Sequence, residues 1–212
     1  MAVHYRTRGI FLKKSAKGEA DELFIVYAKD FGKLKILGKA IRKIASKLRG
    51  GAELFYLSDI EFIQGRSHKT LTDAVLITNF KNIRQNLGGL RVVYKIAELL
   101  DDLAAKEEKD EQVWELLNEV FHKLDNPKLS INGCQLLYYY FFWNLISLLG
   151  YKPEINNCSI QGNVVDCDII RILRVIFKKD WKILSRLKLE TAHLKLLKDI
   201  SEWYNDNVVK TD

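Results

Sequence analysis

The apolar residues of this chain change their period once, near Asn79, and that switch limits it to two kinds of structure in succession. Before Asn79 the pattern is that of strands. Leu34 and Ile36 alternate with Lys33 and Lys35, the two-residue period that sends neighbouring side chains to opposite faces of a sheet. Leu23 to Ala28 is rich in β-branched and aromatic residues, and Asp30-Phe31-Gly32 follows as a tight turn. Leu54 to Ile63 and Leu71 to Thr78 supply further strands, with Gln64-Gly65-Arg66 turning between them. So many short strands in residues 1–79 leave no room for a second sheet, so a small antiparallel barrel is expected.

After Asn79 the spacing is helical. Ile83, Leu87, Leu90, Val93, Ile96, Leu99, Leu100 and Leu103 recur at three- and four-residue steps, broken at Gly88-Gly89. The acidic run Glu107 to Glu111 reads as an exposed linker opening the next helix, where carboxylates suit the helix dipole. Val113, Leu116, Leu117, Val120, Phe121 and Leu124 mark that helix, and Asn126-Pro127 ends it. The segment Leu136 to Leu149 is apolar on nearly all sides and ends at Gly150. It falls well short of the roughly 20 residues a membrane crossing needs, and Asn144 interrupts it, so it predicts a buried central helix rather than a membrane span. The aromatic cluster Tyr138 to Trp143 is read as part of that core. Two more amphipathic helices are expected between Asp168 and Tyr204. The expected architecture is α+β, with a barrel over 1–79 and an all-helical domain over 80–212.

Charge follows the same division. Residues 1–79 hold 15 of the 34 Lys and Arg but only 8 of the 27 Asp and Glu, so the whole net charge of +7 lies there. Lys33, Lys35, Lys39, Arg42, Lys43, Lys47 and Arg49 follow one another without an intervening acid. One-signed density of this kind suits a polyanion, because each neutralised phosphate releases condensed counterions. Arg66 and Lys69, at the turn between the last two strands, could close the same groove. Phe31, Tyr56 and Phe62 are the candidate platforms on which bases would stack.

Other classes of function find little support. Three cysteines, an odd number, argue against a disulfide framework and suit a reducing cytoplasm. Four scattered histidines and no nucleophile, zinc-protease or phosphate-loop motif argue against an enzyme. Asp101 and Asp102, being adjacent on a helix, splay apart and make a poor metal pair.

The stretch from Gly9 to Leu48 resembles the opening of the RecO family. Gly18-Glu19 matches that family's Gly-Glu near the second strand, Ala28 to Lys33 its turn ending in Gly-Lys, and Gly38 to Lys47 loosely its basic segment. Leu71-Thr72-Asp73-Ala74 is similar to its last barrel strand, and Gly150-Tyr151-Lys152-Pro153-Glu154 with Cys158 to its landmark after the buried helix. The resemblance implies an oligonucleotide-binding (OB) barrel before the helical domain, with no cofactor. It also implies binding of single-stranded DNA, and of double strands, annealing of complementary strands, and work with RecR and the single-stranded-DNA-binding protein to load RecA recombinase. Two departures stand out. Many members carry a four-cysteine zinc site here, whereas Cys158 and Cys167 are nine residues apart with no cysteine after them; the zinc loop reads as degenerate and 156–168 as a short metal-free connector. Many members also start the buried helix with arginine, a feature tied to receiving a partner's acidic tail, and Ile131 to Leu137 has none. That docking is expected here either to use Lys123, Lys128 or the cluster of Arg171, Arg174, Lys178 and Lys179, or to be absent. An RNA-binding OB protein and a protein-only adaptor are the rival readings, since charge does not register the 2′-hydroxyl.

Overall fold

The computed structural model describes residues 3–65, 67–187 and 189–210. Five strands close a barrel in the order β1-β2-β3-β5-β4. β1 (His4–Lys17) pairs antiparallel with β2 (Asp21–Ala28) and with β4 (Leu57–Gln64), β2 pairs with β3 (Gly32–Gly38), and β4 with β5 (Lys69–Thr78). The barrel is shut by a short parallel contact in which Ile36 and Leu37 of β3 meet Lys69 and Thr70 of β5. A five-stranded barrel in this order is the arrangement of an OB-fold. The expected strand at Leu54 begins later, at Leu57, because residues 54 and 55 turn and Phe55 adopts a positive φ of 62°.

Alternation decides what fills the barrel. Phe24, Val26, Leu34 and Ile36 point inward with Phe11, Phe62 and Leu71, and the β3–β4 connection lays Ile41 and Ala52 over the same cluster. A second apolar cluster joins Ile10, Leu12, Tyr27, Phe55 and Leu57 of the barrel region to the helices. The barrel and the helical body therefore share one apolar contact as well as a chain connection.

The helices are α1 (Lys81–Gln85), α2 (Leu87–Leu103), α3 (Glu111–Leu124), α4 (Ile131–Leu148), α5 (Cys167–Phe177), the single turn α6 (Trp181–Leu184) and α7 (Thr191–Tyr204). The break expected at Gly88-Gly89 falls instead at Asn86. Its side chain accepts hydrogen bonds from the Gly88 and Gly89 amides and so starts a new helix, with the glycines in its first turn. Asp110 and Ser130 start α3 and α4 in the same manner. α4 is the central helix, packed on α2, α3, α5 and α7. Asn144 is buried within it and donates to the carbonyls of Tyr140 and Ile176, which accounts for a polar residue in an apolar run. Among the described residues, no helix is long and apolar enough to cross a membrane.

The connector after α4 differs from expectation. Residues 155–164 form a three-stranded meander, β6 (Ile155–Asn156), β7 (Ser159–Ile160) and β8 (Asn163–Val164), and Cys158 and Cys167 are joined by a disulfide. The odd cysteine count is explained by Cys134, which is free and buried in α4. Two tight reversals bring together cysteines that are nine apart, and their sulfurs, bonded to each other, do not provide a zinc site's thiolates. The meander is seated by the buried Ile160 and by Tyr204, whose hydroxyl donates to the Tyr151 carbonyl and accepts from Gln161. A crosslink closing so short a loop is worth about 2–3 kcal/mol through the unfolded chain. Thermal melting is expected to shift down when reductant is added to the native protein, and Cys158→Ser is expected to melt at the reduced temperature with or without reductant. Equal melting of the native protein in both conditions would contradict the staple.

Candidate nucleic-acid interface

The outer faces of β1, β2 and β3 carry side chains in matched rows, because antiparallel partners share a face. Lys13, Ile25 and Lys35 form one row, and Ser15, Leu23 and Leu37 the next. The turn between β4 and β5 rises beside them. Together these elements line a cleft of about 1020 Å³, with Leu23 and Ile25 as apolar floor and Lys17, Lys35, Lys69 and Lys106 among its walls. The face formed by β2 and β3, flanked by the β1–β2 and β4–β5 loops, is where OB barrels hold oligonucleotides and oligosaccharides.

The cations expected to track phosphate divide into two sets. Lys35, Lys39, Arg42, Lys43, Lys47 and Arg49 are exposed, and none has a carboxylate partner among the described residues. Lys35 stands in the cleft, and the other five follow on the β3–β4 connection. Arg42 and Arg49 line a further hollow of about 310 Å³ with Lys14, Glu22 and Glu53. Lys33 and Lys69 form the second set and are already engaged. Lys33 is only 7% exposed and donates to the Asp101 carbonyl in the last turn of α2. Burial pushes its ammonium below the usual lysine range, with Lys106 and Lys13 adding to the effect and Asp101 opposing it. The alternation that sets Lys33 beside Lys35 on one face is present, but the helical body covers one of the two. Lys69 bonds Glu107. Arg66 lies outside the described residues.

On β1, β4 and β5 several charges pair with one another. His4, Arg6 and Thr72 all bond Glu61 and hold its carboxyl down at about 2, and Arg8 faces Asp59. Six of the exposed cations that form no ion pair among the described residues lie along β3 and the connection after it, and Lys17 adds another at the end of β1.

The aromatic candidates fare differently. Phe62 is 1% exposed inside the barrel, stacked on Tyr5, so it offers no open face. Phe31 is half-buried edge-on to both rings. Tyr56 is half-buried and carries the Arg84 guanidinium 4.7 Å from its ring centre. None of the three lines the cleft. A barrel this small needs large side chains inside it, and these rings serve that need. Lys17 and Lys106 line the cleft without having been expected there. Only the β1–β2 hairpin register and the return of the α2–α3 linker to the barrel bring them in, and neither leaves a local mark in the sequence.

On the helical body, Lys123, Lys178 and Lys179 meet at a hollow of about 640 Å³, joined by Lys182 and by the half-buried Trp181. Glu119 and Asp180 also line it, and Lys123 pairs with Glu119. Lys128, Arg171 and Arg174 do not line it, and Arg171 is taken up by Asp168.

Comparison with known proteins agrees with this arrangement. Residues 1–80 match the family model described as Recombination protein O N terminal, and residues 84–170 match Recombination protein O C terminal. The chain is 28% identical to a protein of Trichodesmium erythraeum named DNA repair protein RecO, over all of this chain and 75% of that protein. Proteins of the same name from Dehalococcoides mccartyi (strain ATCC BAA-2266 / KCTC 15142 / 195) and Nostoc sp. (strain PCC 7120) are 31% and 29% identical over 73% and 74% of this chain. The matched part spans 60% and 53% of those two relatives' own lengths. With both models in sequence order and the barrel and helices beneath them, the chain belongs to the RecO family of DNA repair proteins.

Proposed function

We propose that this chain is a non-enzymatic recombination mediator that holds single-stranded DNA, and double strands by the same contacts, on its barrel. The single observation that carries this reading is the row of six exposed cations from Lys35 to Arg49, none of them in an ion pair with a carboxylate among the described residues. Contacts to phosphate position a strand without reading its sequence. A cleft floored by Leu23 and Ile25 supports a backbone while leaving base edges available. Two complementary strands held in this way, their mutual repulsion screened by lysine and arginine, are free to pair. The chain then anneals strands coated by the single-stranded-DNA-binding protein and, with RecR, helps RecA to load, acting in the cytoplasm at the nucleoid. The hollow between Lys123, Lys178 and Lys179 supports docking of a partner's acidic tail on the helical body.

The test is annealing of complementary oligonucleotides coated by the single-stranded-DNA-binding protein, with and without this chain. Faster annealing with the chain is expected. No acceleration, together with tight binding to RNA of the same sequence, would favour an RNA-binding barrel; no salt-dependent binding to either would favour a protein adaptor.

A further inference from the structure

We infer that the acidic linker between α2 and α3 is a built-in competitor for phosphate: Glu107 holds Lys69 at the edge of the barrel cleft, and a bound strand must take Lys69 from it. The inference rests on the proposal that the cleft receives a polyanion. Lys69 Nζ lies 2.5 Å from Glu107 Oε1, and the two residues are 38 apart in sequence. The lysine side chain is 11% exposed and the glutamate side chain 58% exposed. The cation is therefore seated in the wall while its partner stands at the solvent side, where a phosphate would arrive.

The linker is fixed to the barrel by its backbone, which makes this pairing more than a chance surface contact. Among the described residues β3 pairs with β5 at Ile36 and Leu37, which leaves the edge at the start of β3 without a β5 partner. Residue Lys106 fills that edge in a parallel bridge with Lys33, and the Glu107 amide donates to the Lys33 carbonyl at 3.0 Å. Gly32, at φ 62°, lets the linker come so close that a Cβ there would stand 1.9 Å from the Glu108 carbonyl oxygen. Glu107 itself is held at φ 59°, a left-handed conformation that costs a non-glycine residue strain. A strained backbone anchored on both sides, ending in a carboxylate on a cleft lysine, is the arrangement a displaceable strap requires. Asp101 plays a fixed version of the same role, with its carboxylate 2.7 Å from Lys13 Nζ and its carbonyl on Lys33. The glutamate half of the pair stands in solvent, where an ionic contact contributes little to stability, so Glu107 is free to yield its lysine without unseating the fold.

The test compares the full chain with Glu107→Gln in binding a labelled single-stranded oligonucleotide across a salt series. Freeing Lys69 for one more phosphate is expected to steepen the logarithmic salt slope by about 0.7 and tighten binding about five-fold near 0.1 M salt. Glu107→Gly, which relieves the φ as well as removing the carboxylate, should do the same if the Gln variant folds poorly. Glu115→Gln removes an equal charge from an exposed site on α3 and should leave the slope unchanged. On a Lys69→Gln background, Glu107→Gln should gain nothing. A Glu107 variant with native affinity and slope overturns the strap while native salt-dependent binding still supports the cleft. An equal gain from Glu115→Gln overturns it too, as a general charge effect. Absence of salt-dependent binding by the native chain removes the functional proposal and the strap with it.

Discussion

Reversing Lys39 and Arg42 to glutamate is expected to abolish oligonucleotide binding at physiological salt while leaving the melting temperature nearly unchanged. Both side chains are exposed on the β3–β4 connection, and neither forms an ion pair among the described residues. The backbone at these positions stays anchored from elsewhere, since the Arg42 amide donates to the Ala20 carbonyl and the Ala40 amide to the Asp21 carboxylate. Lost binding would therefore be electrostatic. Each phosphate contact removed lowers the logarithmic salt slope by about 0.7 for a single strand, so the double variant should lose about 1.4 from the slope. Two added negative charges repel the strand as well, and a fall of at least about 100-fold in affinity is the scale to expect. Circular dichroism and thermal melting alongside the titration separate this outcome from misfolding. A double variant that binds with native affinity and slope would place the phosphate path somewhere other than the β3–β4 connection.

Trp143→Ala is expected to be the most damaging single change to the fold, costing about 3–5 kcal/mol. The residue is fully buried at the centre of α4, packed against Phe142, Phe177 and Tyr204 at ring-centre distances of 5.2, 6.2 and 5.1 Å. These contacts tie α4 to α5 and α7, so the cavity would open where three helices meet. In a chain of this size the loss corresponds to a melting temperature lower by roughly 10 °C. Its indole Nε1 has no hydrogen-bond partner among the described residues. Trp143→Phe, which keeps most of the ring and removes that buried donor, should cost less than about 1.5 kcal/mol. If both variants melted at the native temperature, the aromatic cluster of α4 would not be the core of the helical body.

How much of this was legible in the sequence depends on whether the cause was local. The phase of β3 was readable because Leu34 and Ile36 need the barrel interior, and the central helix because α4 is apolar on nearly every side. The start of α2 at Asn86 was also within reach, since Asn followed by Leu-Gly-Gly fits a helix cap better than a break at the glycines. Contacts set by the return of distant chain were not. Lys33 and Lys35 share a phase, and only the packing of α2 beside β3 makes one a structural tie and leaves the other open. Phe62 looks the same as a base platform and as barrel filling until Tyr5 and Phe31 close on it. The partnership of Cys158 with Cys167 needed the meander, and that of Lys69 with Glu107 needed the linker's return to an unpaired strand edge.

Salt titration of the unmodified chain with a single-stranded oligonucleotide tests the central electrostatic claim most directly. Six unneutralised cations, each meeting a phosphate, predict that the logarithm of the binding constant falls against the logarithm of salt concentration with a slope of about −4. Tight binding with a slope near zero would contradict the account, because affinity would then come from something other than the lysines and arginines of the barrel.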